Sequence, residues 1–287
     1  MLIFQITLSS YELGVKMGKK ENHKQDLVDF FDEFLKVGDA GKIVGYLVSN
    51  SSLPGRRANL ELAEAFVEVV EDYFVKGPER LWALCLKLIE VSSDEAPVND
   101  PKEFLPFCGT WAIGGIGSVS SEFFEKALSF LKELANDPRW RVREAVAMGI
   151  QKLIEKESKN TLKELEGWIV KGSWFEMRAV AAGVAEPALL RNKQAARQGL
   201  ELHKKIFDQI VTSKERKSEA FKKLKQALGY SLSVVICAVP KEGFGYVYQL
   251  IDSKDVDILW IVKENLKKNR LIKNFPDEVI SIKRLLK

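Results

Sequence analysis

The chain has 287 residues, 46% hydrophobic and 29% charged, with a net charge of +4, a balance that fits a globular protein able to bury a substantial core as one elongated array or two compact domains. No run of about 18 or more apolar residues occurs, so no membrane-spanning helix is expected. Cys85, Cys108 and Cys237 are odd in number and widely spaced, which argues against a disulfide framework or a zinc cluster and fits a reducing cytoplasm.

In chain order, residues 1–24 are expected to form an N-terminal arm. Residues 1–8 lack the basic lead-in of a secretory signal, and Met17 offers a second start. Leu27, Phe30, Phe31 and Phe34 recur at i, i+3, i+4 and i+7, which predicts an amphipathic helix ending near Gly38. A short helix over 43–48 follows, then a loop over 50–57. Asn59 is placed to cap a helix whose inner face is Leu62, Ala63, Phe66, Val69 and Val70. Gly77-Pro78 opens a helix over 80–91 with Leu81, Leu84, Cys85 and Leu88 inward, and the polar run 92–100 reads as a loop. Gly114-Gly115-Ile116-Gly117 reads as a turn at a helix end. Further on, a long basic helix near 192–211 precedes another over 215–239, interrupted by Gly229, and Pro240 and Gly243 mark the next turn. His23 and His203 have no second ligand at i+3 or i+4 and read as lone surface histidines. No period-2 stretch predicts a sheet.

The segment Asp137-Pro138-Arg139-Trp140-Arg141-Val142-Arg143-Glu144-Ala145-Val146-Ala147 resembles the turn and second-helix opening of a HEAT repeat. Asp100-Pro101 parallels it 37 residues earlier and Gly172-Ser173-Trp174 follows 35 residues later, the period of a stacked hairpin array. The resemblance implies an all-α, HEAT-repeat (armadillo-like) α-α superhelix over residues 25–287, in which each hairpin exposes an apolar face that its neighbour covers. Asp137 is expected to cap the helix containing Arg143, with Trp140 and Val142 packed in the hairpin core. Arg143, in register with Arg178, is expected to bond to the adjacent turn, as such arginines do in HEAT arrays.

The candidate concave-face binding residues are Arg141, Arg178, Trp140, Trp174, Glu176 and Lys263. Arg141 has no counterpart in neighbouring copies and is the better binding candidate of the arginines, whereas core packing is the default for Trp140, Trp174 and Trp260. Residues 1–136 hold 14 Lys+Arg against 21 Asp+Glu, a net of −7, and residues 137–287 hold 30 against 19, a net of +11. That polarity points to an anionic partner for the second half.

Ser173-Trp174-Phe175-Glu176-Met177-Arg178-Ala179 resembles a segment of HEAT-like alkylpurine DNA glycosylases. Phe175 stands where that family has a second tryptophan and Ala179 where it has the catalytic aspartate, leaving Glu176 the only acid nearby. No catalytic residue, metal or cofactor is therefore assigned, and no nucleophile–base pair can be drawn. The expected function is a non-enzymatic scaffold holding a protein or peptide. The alternative is a nucleic-acid-binding protein, favoured if Arg141, Arg178, Lys204, Lys205 and Lys263 converge on one concave surface, with Lys222 and Lys223 on an outer face.

Overall fold

A computed structural model describes residues 18–286, and among them the regular structure is helical, with no strand. The first helices are α1 (Lys19–Val37), α2 (Gly41–Ser49), α3 (Leu60–Tyr73), α4 (Pro78–Ile89), α5 (Phe104–Val119) and α6 (Ser121–Leu134). Next come α7 (Trp140–Lys171), α8 (Trp174–Gly183), α9 (Lys193–Thr212), α10 (Glu219–Ala238), α11 (Pro240–Asp252) and α12 (Val256–Asn265). Two short helices, α13 (Asn269–Asn274) and α14 (Pro276–Leu285), close the described chain.

These elements form an all-α solenoid of hairpins in two rows. The second-row helices α3, α5, the first half of α7, α8, α10 and α12 each pack on the next. Their partners α4, α6, the second half of α7, α9 and α11 make the first row, with Trp82 of α4 tilted on Phe123 of α6 and Phe207 of α9 edge-on to Tyr246 of α11. α7 serves both rows because it joins two helices across a kink at Glu157, where φ is −123° and ψ 50°. Thr161 Oγ1 donates to the Glu157 carbonyl there, satisfying a group that the kink frees. A single buried core runs through the whole stack.

The helix starts are chemically marked. Asn59 Oδ1 accepts from Leu62 N–H, Ser173 Oγ from Glu176 N–H, Asn192 Oδ1 from Gln194 N–H and Asp255 Oδ1 from Asp257 N–H. α1 ends at Gly38, whose φ of +85° is the left-handed closure that glycine favours.

Several expectations are corrected. The arm expected over 1–24 overlaps α1, which begins at Lys19, and residues 1–17 lie outside the described residues. Gly114, Gly115 and Gly117 lie inside α5, each at a close approach to a neighbour: an added Cβ would sit 2.2 Å from Gly149 Cα of α7 at Gly114, 2.7 Å from Glu71 Oε1 of α3 at Gly115 and 2.6 Å from Ala127 Cβ of α6 at Gly117. α10 runs unbroken from Glu219 through Gly229. Buried Asn265 supports it on either side, donating to Leu228 O and accepting from Ser233 N–H, both at 2.8 Å. Gly243 lies within α11. His203 is buried between α9 and α10 rather than at the surface. Its Nδ1 faces Gly199 O at 2.8 Å and so carries the proton, which leaves Nε2 to accept from Ser231 Oγ at 2.8 Å.

Candidate functional site

The turn before α7 shows why adjacent residues of one motif have opposite fates. α7 begins at Trp140, so Asp137 stands outside the helix and does not cap it. Its carboxylate instead accepts from Arg139 N–H at 2.7 Å and holds the Arg139 guanidinium at 3.0 and 2.8 Å, while Arg139 Nη1 donates to Val91 O. The expected core residue Trp140 is 44% exposed, and the expected surface residue Arg141 is 3% exposed. Arg141 Nη1 donates to Glu103 Oε2 at 2.7 Å, and Nη2 donates to Gly55 O and Asn99 Oδ1. The guanidinium thus ties the 50–59 and 92–100 loops to α7 and is removed from the binding face. Its other contact is the Trp140 ring, 4.5 Å from the centroid. Val142 is buried.

Arg143 Nη1 donates to Asp137 O and Pro138 O, at 2.5 and 2.9 Å. Burial, reinforced by the neighbouring Arg178 charge, lowers its pKa from the ordinary value. Arg178 donates to Arg143 O at 3.0 Å and pairs with Glu144. These residues of α7 and α8 border a cleft of about 430 Å³ on the second-row face. Its α10 wall is Lys223, Gln226, Ala227 and Tyr230, and Trp140 stands at its α7 edge. Lys223, expected on an outer face, is therefore a cleft residue, whereas Lys222 is exposed and does not line it.

Trp174 and Glu176 lie away from this cleft. Trp174 Nε1 donates to Glu215 O at 2.9 Å, and its ring packs edge-on to Phe221, so it fastens the α9–α10 loop to α8. Glu176 accepts from Asn136 Nδ2 at 3.1 Å and faces Lys132 at 3.8 Å. Ala179, at the position of the glycosylase aspartate, is buried in the helix stack. Lys263 is exposed on α12, one turn beyond Trp260, which is 36% exposed.

The structure thus brings Trp140, Arg143 and Arg178 together, and sends Arg141 to the core and Lys204 and Lys205 to first-row helix α9. The five cations whose convergence would favour nucleic acid are dispersed. Lys204 and Lys205 pair with Glu201 and Glu166.

Tyr230, Gln226 and Arg270 were missed from sequence. Tyr230 is 43% exposed, with the Arg270 guanidinium 4.8 Å from its ring centroid. Lys223, Gln226, Ala227 and Tyr230 recur at i, i+3, i+4 and i+7, a stripe that interrupts the apolar faces of α10 and was the available signal. Among the described residues no three His, Cys, Asp or Glu side chains cluster to hold a metal, and no helix is long and apolar enough to cross a membrane.

No family model matches the chain, and no curated protein matches it. Among solved structures it is similar to a designed armadillo repeat protein, with 18% identity over 78% of this chain and 98% of that one, at a TM-score of 0.28. What the face can hold is set by its own geometry.

Proposed function

We propose that the protein is a non-enzymatic binding scaffold whose second-row face holds a protein or peptide partner. The observation that carries this reading is the display of large aromatics by three helices of one row. Trp140 of α7, Tyr230 of α10 and Trp260 of α12 are all substantially exposed, and the first two flank a cleft. Solvent-facing Trp and Tyr beside a concavity are the side chains that anchor partners, because they bury much apolar area at little entropic cost.

A photo-crosslinking amino acid at Gln226 tests this, with Lys163 of the first row as the control position. In extracts, Gln226 is expected to yield protein or peptide adducts that Lys163 does not, and the adducts disappear when Trp140→Ala and Tyr230→Ala are added. Equal crosslinking from both rows, or adducts with nucleic acid alone, overturns the proposal.

A further inference from the structure

A second cleft, of about 380 Å³, lies on the same stripe of α10 as the first. Val234 and Cys237 line it, at i+4 and i+7 from Tyr230, so the two clefts follow one side of one helix. Leu190, in the segment following α8, forms part of its wall, as Arg178 and Ala182 of α8 do for the first cleft. Arg270 lines the second cleft and lies over Tyr230, which lines the first, so this pair stands where they meet.

The charges along this path are one-sided. The first cleft has Arg143, Arg178 and Lys223 against Glu144, which is engaged by Arg178, while Glu219 at the start of α10 pairs with Lys223 at 3.2 Å. The second has Arg191, Lys193 and Arg270 and no acid in its lining. Lys193 donates to Ala238 O at the end of α10, while Arg191 takes part in no side-chain hydrogen bond or ion pair among the described residues. Two clusters of positive charge, each beside a concavity, set up a positive potential along one groove.

The geometry points to an acidic linear peptide, extended along α10 with one anionic side chain seated in each cleft. This assignment rests on the reading of the second-row face as a peptide site and specifies the chemistry of its occupant. From Lys223 to Ala238 the helix advances about 22 Å at roughly 1.5 Å per residue. An extended peptide covers that span in about seven residues, so the two anionic groups stand five or six residues apart. The apolar floor at Val234 suits an uncharged segment between them. Single-stranded nucleic acid fits less well, because the cations a phosphate backbone would follow are dispersed: Arg141 is buried, and Lys204 and Lys205 stand on first-row helix α9.

The test uses the full chain and fluorescein-labelled probes of about eight units, read by anisotropy. The probes are Glu-Glu-Ser-Leu-Ser-Leu-Glu-Glu, its counterparts with Gln or Lys replacing Glu, and an oligothymidylate of the same length. The acidic peptide is expected to bind best. Its affinity falls about tenfold or more in Lys223→Glu and, separately, in Arg191→Glu/Arg270→Glu, and stays unchanged in Lys163→Glu. Circular dichroism confirms that each variant keeps the wild-type fold. Preference for the oligothymidylate, or acidic-peptide affinity indifferent to the groove reversals, overturns the assignment. If the Gln or Lys peptide binds instead and Tyr230→Ala abolishes it, the acidic assignment fails while the peptide-binding face stands. Binding of no peptide counts against both.

Discussion

Over α3 and α5 the second-row face is closed, whereas from the start of α7 at Trp140 to α12 it meets solvent. In the first region Lys20 and Lys24 of α1 reach Glu64, Glu68 and Asp72 of α3, and Lys152 of α7 pairs with Glu71. α5 is buried along nearly all its length. In the second region the comparable positions are Arg178, Tyr230 and Trp260, each presented toward the groove or to water. The stacking rule is the same in both. What differs is the closure: ion pairs tie α1 and α7 to α3 across the first stretch, whereas α10 presents Lys223, Gln226 and Tyr230 to a cleft.

The largest expected effect tests the covered region. Arg141→Ala leaves the Glu103 carboxylate buried without its cation and releases two loops from α7. It is expected to cost about 3–5 kcal/mol, lowering the melting temperature by on the order of 10 °C in a circular dichroism melt. Trp140→Ala, one residue away but facing solvent, is expected to change stability far less. If the two variants melt together, the contrast between a structural arginine and an exposed aromatic is wrong.

That neighbouring pair also shows what was legible in the sequence. Local chemistry was: Asn59 caps its helix, Gly38 ends α1, and the Leu27, Phe31 and Phe34 stripe is buried. The period of the hairpins followed from the spacing of the Asp-Pro and Ser-Trp segments. The directions of Trp140 and Arg141 did not, because they depend on Gly55, Asn99 and Glu103, between 38 and 86 residues away. The same holds for Gly114 of α5, whose close approach is to Gly149 in another hairpin. A helical face can be read locally, but what covers it is a tertiary fact.

The next effect lies beneath the open face. Burial between α9 and α10 lowers the His203 pKa from 6.5 to about 4, opposed by its hydrogen bond with Gly199 O. The folded state therefore favours the neutral ring. The contribution is fully present above pH 6.5 and is lost as the pH falls toward 4, where the unfolded chain binds the proton more readily. Over that window wild type is expected to lose about 3 kcal/mol more than His203→Gln, measured by urea denaturation at pH 7 and pH 4. Equal losses in the two proteins place the acid sensitivity elsewhere.

A matched pair of glycine substitutions makes the smallest and most direct comparison of the two regions. In Gly114→Ala the new methyl meets Gly149 backbone at 2.2 Å. Neither backbone can yield without separating α5 from α7, so the cost is expected at the upper end of about 1–3 kcal/mol. Gly229 occupies the corresponding row at α10, but its added Cβ meets no backbone atom: it comes 3.1 Å from the Glu264 Cβ, which moves only with α12, and 3.3 Å from Trp260 Cζ3, the far edge of a ring. Trp260 is partly in water and can shift, and α12 must give by a few tenths of an ångström at Glu264. Against that crowding stands a gain of up to about 1 kcal/mol from replacing glycine inside a helix. Gly229→Ala is therefore expected to stay within about 1 kcal/mol of wild type, with a small change in tryptophan emission as the ring moves. A loss as large as that of Gly114→Ala means that α12 is held as rigidly against α10 as α7 is against α5, and the open half is then no looser than the covered one.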